Sequence, residues 1–369
     1  MTQNAIDTET LREWLEQSQP VVVLDVRTAT DRGEWAIPGS IHVDAYAALK
    51  ARDPHALEAV DLPADIPIIT VCGAGKMSLV AAEQLRARGL RAYSLAGGMQ
   101  AWSLAWNTAE VPMSESTTRV VQVRRTGKGC LSYLIGADGE AAVIDAAVAP
   151  EVYIRLAEQE GWRITAVLDT HIHADHLSRS RALAEQTKAT LYLPAQERAA
   201  FPFASLRDDD TVRIGTSHLI ALHTPGHTLE STSYLLDERL LFTGDTLFLA
   251  AVGRPDLEAH PEEVQVRAQL LYDSLQRLLT LPKDTLILPG HTSTPIAFDG
   301  RPLAGTLVDV RAAIPRLQLP KAMFVADVLS RIPPTPPNHQ TIVALNETGA
   351  TPPTDPTTLE AGANRCAIV

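Results

Sequence analysis

Cysteine and basic residues are scarce in this sequence, and each shortage excludes a class of protein. The three cysteines among 369 residues are widely separated and none lies in a CxxC pair, which argues against a disulfide framework and a zinc ribbon. Acidic residues outnumber basic ones by 44 to 32, for a formal net charge of -12, and no basic stripe with interleaved aromatic residues is present. We therefore expect no nucleic-acid partner.

Long apolar runs are also missing from the sequence. No run approaches the length of a membrane span, and the amino-terminal MTQNAIDTETLREWLEQ has no basic flank followed by an apolar core. These features predict a protein with neither a membrane segment nor a secretion signal, and we expect a cytoplasmic location. The chain exceeds the usual size of one hydrophobic core, so two domains are expected.

The first third alternates short apolar runs, VVVLDV, IPGSIHV, IPIITVC and RAYSLAG, with helical patterns. This alternation predicts an α/β domain with a parallel sheet. The polar TAEVPMSESTT is interpreted as a linker, and the tail, with its proline-rich IPPTPPNHQTIVALN, is predicted to be extended. The expected divisions are an α/β domain (1–108), a linker (109–118), a second domain (119–330) and a tail that completes the second domain (331–369).

One cysteine lies in a loop of small residues, VCGAGKMS, at positions 71–78. The apolar run before it and the helical pattern after it place Cys72 between the end of a buried strand and the start of a helix. Backbone amides and the helix dipole there favour a thiolate, a persulfide or a sulfur oxyanion. The alternative is a buried cysteine that ends a strand. The predicted substrate-contacting residues of this loop are Gly73, Ala74, Gly75, Lys76, Met77 and Ser78.

Histidines and aspartates collect at the ends of apolar runs in the middle of the chain. The turn THIHADH crowds four ligand-type side chains into six positions, and the turns HTPGHT, TGDT and PGHT follow three further runs. Imidazole and carboxylate groups in this density predict a metal centre that suits zinc or iron(II). Its candidate residues are His171, His173, Asp175, His176, His227, Asp245 and His291. The unclustered histidines, interpreted as surface or packing residues, are His42, His55, His218, His260 and His339. His223 shares a turn with His227, so both roles are open for it, and the structural one is favoured.

The order of these motifs, HxHxDH, PGHT, TGDTLF and a final PGH, resembles the metallo-β-lactamase family. The resemblance implies an αββα sandwich for the second domain. Two more segments, AVGRPDLEA and the terminal ANRC, are similar to the persulfide dioxygenases of that family. They imply one Fe(II) per chain, held by His171, His227 and Asp245, with zinc as the alternative. The resemblance also assigns a role to His173, Asp175, His176 and His291. They would lie in the outer shell of the iron, or they would bind the second metal if the protein is a dinuclear hydrolase.

The first domain resembles a single rhodanese domain, on the evidence of LDVR, IPGSIHV, the Cys72 loop and LAGGMQAW. The resemblance implies that Cys72 carries sulfane sulfur as a persulfide. Such loops often carry arginine, serine or threonine where Met77 stands. Here Lys76 is the loop's only cation, and thiosulfate, which is a dianion, is therefore predicted to be a poor donor. A structural charge network beneath the loop is predicted for Asp25, Arg27 and Glu34.

Three other residues have open assignments. Arg254 can grip a carboxylate of a glutathione-like substrate through two hydrogen bonds, or it can pair with Asp256 and only brace its own loop. Cys130 is interpreted as a core residue. Cys366 approaches the metal site if the tail follows the resemblance.

Together these features predict an enzyme that oxidises glutathione persulfide, or a related thiol persulfide, with O2 to sulfite. Sulfur from a donor would pass through Cys72. The alternative is a zinc-dependent thioester hydrolase of the glyoxalase II kind with an attached rhodanese carrier or sensor. A homodimer remains open.

Overall fold

The computed structural model describes residues 4–113, 117–257, 259–352, 355–362 and 364–369. Its amino-terminal part is a five-stranded sheet in which all strand pairs are parallel, in the order β1-β5-β4-β2-β3. This confirms the predicted α/β architecture. The strands are β1 (Ala5–Ile6), β2 (Val22–Asp25), β3 (Ile41–His42), β4 (Ile68–Val71) and β5 (Ala92–Leu95), and the helices are α1 (Thr8–Glu16), α2 (Ala29–Glu34), α3 (Tyr46–Lys50), α4 (Lys76–Ala87) and α5 (Gly98–Trp102).

A seven-stranded sheet opens the second part of the chain, in the order β12-β11-β10-β9-β8-β7-β6. Its hairpin of β8 and β9 turns at residues 138–139, as the sequence predicts. The strands are β6 (Asn107–Val111), β7 (Arg119–Arg125), β8 (Cys130–Ala137), β9 (Glu140–Ile144), β10 (Arg163–Leu168), β11 (Thr190–Pro194) and β12 (Ala204–Leu206).

A six-stranded sheet in the order β13-β14-β15-β16-β18-β19 packs against it. The apolar core between the two sheets contains Tyr133 and Ile144 from the first and Leu219, Tyr234 and Phe242 from the second. Its strands are β13 (Thr211–Ile214), β14 (Ser217–His223), β15 (Thr232–Leu236), β16 (Leu240–Gly244), β18 (Leu286–Pro289) and β19 (Gly305–Thr306), while β17 (Val252–Gly253) pairs separately with β20 (Ala367–Ile368).

Helices cover both outer faces, which completes the predicted αββα sandwich. Tyr153 and Leu183 pack on the seven-stranded sheet, and Leu271, Leu275 and Phe324 pack on the six-stranded sheet. The helices are α6 (Pro150–Gln159), α7 (Ser180–Thr187), α8 (Pro261–Leu278), α9 (Leu307–Ala313), α10 (Lys321–Ser330), α11 (His339–Thr348) and α12 (Pro356–Glu360), with a short 3-10 turn at Pro315–Gln318. Among the described residues, no helix combines the length and apolar character needed to cross a bilayer.

Two sequence interpretations need correction. The proposed linker begins inside β6, whose residues 109–111 pair with β7 and bury Ala109 and Val111; the alternation of buried and exposed side chains is that of an edge strand. Residues 114–116 of the proposed linker lie outside the described residues. The tail is not extended throughout, because α11 begins directly after its prolines and buries Ile342 and Val343.

Candidate active sites

Three strand ends of the sandwich converge on one buried cluster. His171 follows β10, His227 follows β14 and Asp245 follows β16, and one potential ligand atom from each lies within 4.8 Å of the others. Asp245 Oδ2 is 3.9 Å from His171 Nε2 and 3.6 Å from His227 Nε2. The structure thus brings together the two imidazoles and one carboxylate that the family resemblance implied as metal ligands.

Hydrogen bonds behind the two imidazoles fix which nitrogen faces the cluster. Nδ1 of His227 donates to the carbonyl of Arg254 at 2.8 Å. Thr170 Oγ1 donates its single proton to Asp145 Oδ2 at 2.9 Å, so it accepts from His171 Nδ1, also at 2.9 Å. Both rings are therefore protonated at Nδ1, and each Nε2 presents a lone pair to the cluster.

The cluster fits a bound cation. His171 Nε2 and Asp245 Oδ2 are buried polar atoms without a hydrogen-bond partner in the described structure, and such orphaned atoms need a ligand. Burial lowers the pKa of both His171 and His227, which keeps the rings neutral and able to coordinate. Burial alone would raise the pKa of Asp245, but the charge of His291 outweighs it and holds that pKa well below its usual range.

A second cluster adjoins the first and is cross-linked by its own hydrogen bonds. His291 lies between two carboxylates, with Nδ1 2.5 Å from Asp245 Oδ1 and Nε2 2.9 Å from Asp175 Oδ2. His176 Nδ1 is 2.9 Å from Asp175 Oδ1, and Asn364 donates to Asp175 Oδ2 at 2.9 Å. Burial lowers the pKa of His291, yet the two carboxylates outweigh it and hold that pKa well above its usual value.

Cys130 belongs to this second cluster rather than to the apolar core. It is buried, as expected, but its Sγ lies 3.6 Å from Asp175 Oδ2, and the group Cys130, Asp175, His176 and His291 has the spacing of a metal site. Burial raises the pKa of the Cys130 thiol, whereas the adjacent His176 charge lowers it, and the result is a pKa of about 6. This placement could not be predicted from the sequence, because Asp175, His176 and His291 lie far from Cys130 along the chain.

His173 points to a third group that sequence reasoning missed. Its Nε2 lies 3.3 Å from Asp145 Oδ1 and 3.9 Å from Asp169 Oδ1. Both aspartates end apolar strands, in VID and VLD, which is the signal that could have found them. Asp145 adopts a left-handed backbone, with φ +54°, and its carboxylate accepts from both the N–H and the hydroxyl of Thr170. This strained aspartate thereby orients His171.

Arg254 does not face a substrate, which corrects one of its two sequence assignments. Its side chain is fully buried and all five donors are used. Nε and Nη2 donate to Asp256 at 2.8 and 2.7 Å. The remaining bonds reach carbonyls of Pro333, Pro334 and Arg365. Arg254 therefore ties the GRPDL loop to the tail, and its backbone carbonyl holds His227.

The tail reaches the metal centre as the resemblance implied. The N–H of Arg254 donates to the carbonyl of Cys366 at 3.1 Å, and Cys366 is buried. Burial holds the pKa of its thiol well above the usual value, and the Asp245 charge adds to that effect. Cys366 is therefore a neutral thiol beside the cluster of His171, His227 and Asp245.

Cys72 lies at the end of β4, where a tight loop leads into α4. Its side chain is 2% exposed, and Sγ lies 3.4 Å from Ser78 Oγ. Gly98 supports the loop from behind, since a Cβ added there would lie 2.2 Å from the carbonyl oxygen of Cys72. Lys76 and Met77 line a cavity of about 730 Å³ that also reaches Cys72.

The charge network beneath this loop has a different third member. Asp25 and Arg27 pair at 2.7 Å, as predicted, and Arg32 joins Asp25 at 3.3 Å. Glu34 is not part of the network; it pairs instead with Arg365 of the tail at 3.0 Å. Glu34 lies beyond the reach of this buried pair because it is exposed at the end of α2.

Comparison with known proteins agrees with both halves of the structure. Residues 125–291 match the model of the metallo-beta-lactamase superfamily, and residues 7–105 match that of the rhodanese-like domain. The solved structure of ETHE1 from Myxococcus xanthus is 30% identical, with a TM-score of 0.53, and the match covers 66% of this chain and 99% of that one. The chain belongs to the metallo-beta-lactamase superfamily and carries an amino-terminal rhodanese-like domain.

Two other similar proteins carry names that differ from ETHE1. A metallo-beta-lactamase structure from Staphylococcus aureus is 30% identical with a TM-score of 0.58, over 64% of this chain and 74% of that one. A hydroxyacylglutathione hydrolase from Rhodopseudomonas palustris is 36% identical over 42% of this chain. The chain spans only 59% of the length of that hydrolase.

Proposed function

We propose that this protein oxidises a low-molecular-weight thiol persulfide, such as glutathione persulfide, with O2 to sulfite, and that Cys72 transfers sulfane sulfur as a persulfide. The observation that carries the proposal is the set of two Nε2 lone pairs and one carboxylate oxygen from His171, His227 and Asp245. This donor set suits a mononuclear non-haem iron(II), with coordination positions left for two reactants. A cytoplasmic location belongs to the same proposal.

His171, His227 and Asp245 would hold an iron(II) ion, and that ion would supply open coordination positions and redox chemistry for the oxidation of a persulfide by O2. The chain's own residues prepare that chemistry. Thr170 and the carbonyl of Arg254 hold the two imidazoles in the ligating tautomer. His291 takes one oxygen of Asp245 and leaves the other directed at the two histidines.

The loop and tail that resemble persulfide dioxygenases support the proposal because they contact each other at the site. Arg254 of GRPDL bonds the backbone of Arg365, and its N–H bonds that of Cys366. Asn364 of the same tail bonds Asp175. Both segments thus support the metal centre directly.

A cavity of about 410 Å³ offers a substrate route to this centre. His171 and His173 line it, together with Arg179, Phe201 and Asn346. Its volume lies within the range of small-molecule sites. A tripeptide-sized persulfide fits such a space better than a macromolecule does.

A zinc-dependent glutathione thioester hydrolase is the second candidate. It is favoured by the hydroxyacylglutathione hydrolase relative and by the second cluster around Asp175, His176 and His291, which can hold another metal. Nδ1 of His176 and Nδ1 of His291 are bonded to Asp175 and Asp245, whereas Nε2 of each ring is buried without a hydrogen-bond partner in the described structure and can also coordinate. Our preference for a single metal therefore rests on the loop and tail that resemble persulfide dioxygenases.

Metal content and oxygen uptake separate the two candidates. Protein purified without chelator should contain about one iron per chain and should consume O2 with glutathione persulfide, yielding sulfite. His227→Ala and Asp245→Ala should lose both the iron and the activity. His223→Ala is the matched control, because among the described residues its ring bonds the carbonyl of Leu229 and lies outside the cluster. Two zinc ions with thioesterase activity and no O2 uptake would establish the hydrolase instead.

A further inference from the structure

The cavity that reaches the predicted metal centre has a charged end that faces solvent. Its buried end contains His171 and His173, and its exposed end contains Arg181 and Glu185, whose side chains are 40% and 64% exposed. Both charged residues lie on α7, one helical turn apart, and Arg181 Nε donates to Glu185 Oε1 at 2.8 Å. A ligand that extends from the metal centre to solvent therefore meets a cation and an anion side by side.

Three contacts hold the Arg181 guanidinium in place and leave part of it free. Besides the bond to Glu185, Nη1 donates to the carbonyl of Gly349 at 3.1 Å, and the guanidinium carbon lies 5.0 Å from the centre of the Phe201 ring. Gly349 permits this close approach, because a Cβ added there would overlap Nη1. Among the described residues, Nη2 of Arg181 has no hydrogen-bond partner. A guanidinium that is already oriented and has free N–H groups is suited to bind a carboxylate.

The other charged side chains of the cavity are satisfied within the protein. Asp169 accepts hydrogen bonds from Ser178 and Ser180, and Arg179 pairs with the buried Glu360. Apolar side chains that line the same cavity are those of Ile172, Leu177, Leu191, Leu193 and Phe201. The ion pair on α7 is therefore the charged group that remains for the polar end of a ligand.

We propose that Arg181 and Glu185 form a recognition site for the zwitterionic end of the persulfide substrate, with its carboxylate bound by Arg181 and its ammonium group by Glu185. The inference rests on the proposed function, because it takes the ligand of this cavity to be a thiol persulfide whose sulfur lies at the metal centre. A γ-glutamyl group carries both charges on one carbon, at the end of the molecule that is remote from the sulfur. A phosphorylated thiol would instead bring phosphate charge against Glu185.

The ion pair on α7 should select the substrate without altering the oxidation itself. Among the described residues, neither Arg181 nor Glu185 bonds a member of the cluster of predicted metal ligands. Loss of either charge should therefore change KM for a zwitterionic substrate more than kcat. Arg181 and Glu185 are specificity residues in this assignment.

The first test measures binding to the full-length protein without turnover. S-Methylglutathione, which carries no sulfane sulfur, is titrated by calorimetry into the unmodified protein and its variants. Arg181→Gln should weaken binding about ten-fold and Glu185→Gln about three-fold. Arg331→Gln is the matched control and should change nothing, because Arg331 also pairs with a carboxylate four residues away, that of Asp327, but lies outside the cavity.

A second ligand assigns the two contacts separately. The analogue of S-methylglutathione that lacks the α-amino group keeps the carboxylate for Arg181 and has no ammonium group for Glu185. Arg181→Gln should weaken its binding about ten-fold, whereas Glu185→Gln should leave it unchanged or tighten it, because the Glu185 carboxylate repels that of the ligand. Equal weakening of both ligands by Glu185→Gln would show that Glu185 only orients Arg181, and would overturn its role in recognition.

Oxygen uptake distinguishes failure of this inference from failure of the proposed function. In Arg181→Gln, KM for glutathione persulfide should rise about ten-fold more than KM for 2-mercaptoethanol persulfide, which has no charged end. Unchanged binding and KM in the two variants, or no binding of S-methylglutathione by the unmodified protein, would overturn the recognition site even if O2 is consumed. Charge-dependent binding without O2 uptake would support the recognition site and overturn the dioxygenase.

Discussion

The carbonyl of Arg254 accepts a hydrogen bond from Nδ1 of His227 at 2.8 Å. The Arg254 side chain pairs with Asp256 and donates to three carbonyls of the tail. The contact therefore connects the tail to His227, a predicted metal ligand. The Arg254 guanidinium does not reach the metal centre. Its hydrogen bonds hold the Arg254 backbone in place, and the backbone carbonyl sets the tautomer of His227. Arg254 is therefore a positioning residue.

Breaking the Arg254–Asp256 pair should loosen the metal centre. Arg254→Gln leaves Asp256 without its partner and three carbonyls without donors, which should cost about 3–5 kcal/mol of unfolding free energy. Iron content should fall in the folded fraction. Chemical denaturation and metal analysis measure the two effects, with the exposed Arg163→Gln as the control. A folded variant of normal stability and iron content would contradict the positioning role.

The hydroxyl of Thr170 should matter for metal affinity rather than for folding. Thr170→Val keeps the shape of the side chain but removes the group that accepts from His171 Nδ1. Loss of such outer hydrogen bonds typically weakens metal binding 10- to 100-fold. A competition titration with a chelator measures this, and Thr165→Val in the preceding strand β10 is the matched control. Equal metal affinities for both variants would refute the role of Thr170 in holding the ligating tautomer of His171.

Cys72→Ser should separate the two proposed activities. A hydroxyl neither ionises near neutral pH nor accepts sulfane sulfur, so transfer from a donor to a thiol should be abolished. O2 uptake with presynthesised glutathione persulfide should stay within about a few-fold of the unmodified protein, because Cys72 lies in a different domain from the predicted metal ligands. Equal loss of both activities would show that Cys72 serves the metal chemistry or the fold.

Glu360 should make the protein sensitive to acid. Burial alone raises a carboxyl pKa, but Arg125 and Arg179 outweigh it and hold the pKa of Glu360 well below its ordinary value of 4.5. The folded state therefore binds fewer protons than the unfolded state, so this stabilisation is complete above about pH 4.5 and is lost as the pH falls toward the folded value.

The variant Glu360→Gln tests this sign. It should cost about 3–5 kcal/mol at pH 7, because it leaves two buried arginine charges uncompensated. The difference from the unmodified protein should narrow as the pH falls below about 4. Denaturant unfolding between pH 3 and 7 measures the trend, with the exposed Glu262→Gln as the control. A constant difference across that range would contradict the assignment.

Strand alternation predicted the first fold, and strand-end chemistry predicted that several histidine- and aspartate-bearing turns converge on one site. The αββα fold and the set of His171, His227 and Asp245 came from the family resemblance of the motifs. Alternating strands and helices specify a parallel sheet, and parallel strands end at one edge. The strand end at Cys72 was predictable for the same reason. These features depend on local patterns, which a sequence displays directly.

The remaining features depend on contacts between distant segments. From the sequence, Cys130 is an ordinary buried residue, and only the fold places Asp175 against it. The choice between the two assignments of Arg254 likewise depended on the carbonyl partners that the tail supplies. The wall that residues 358–362 build over Cys72 joins positions nearly 290 apart along the chain. Sequence determined which chemical groups this protein carries and which strand ends present them. Tertiary structure alone decided which of those groups are satisfied by partners and which stay free to bind, because hydrogen bonding and burial are properties of the folded neighbourhood.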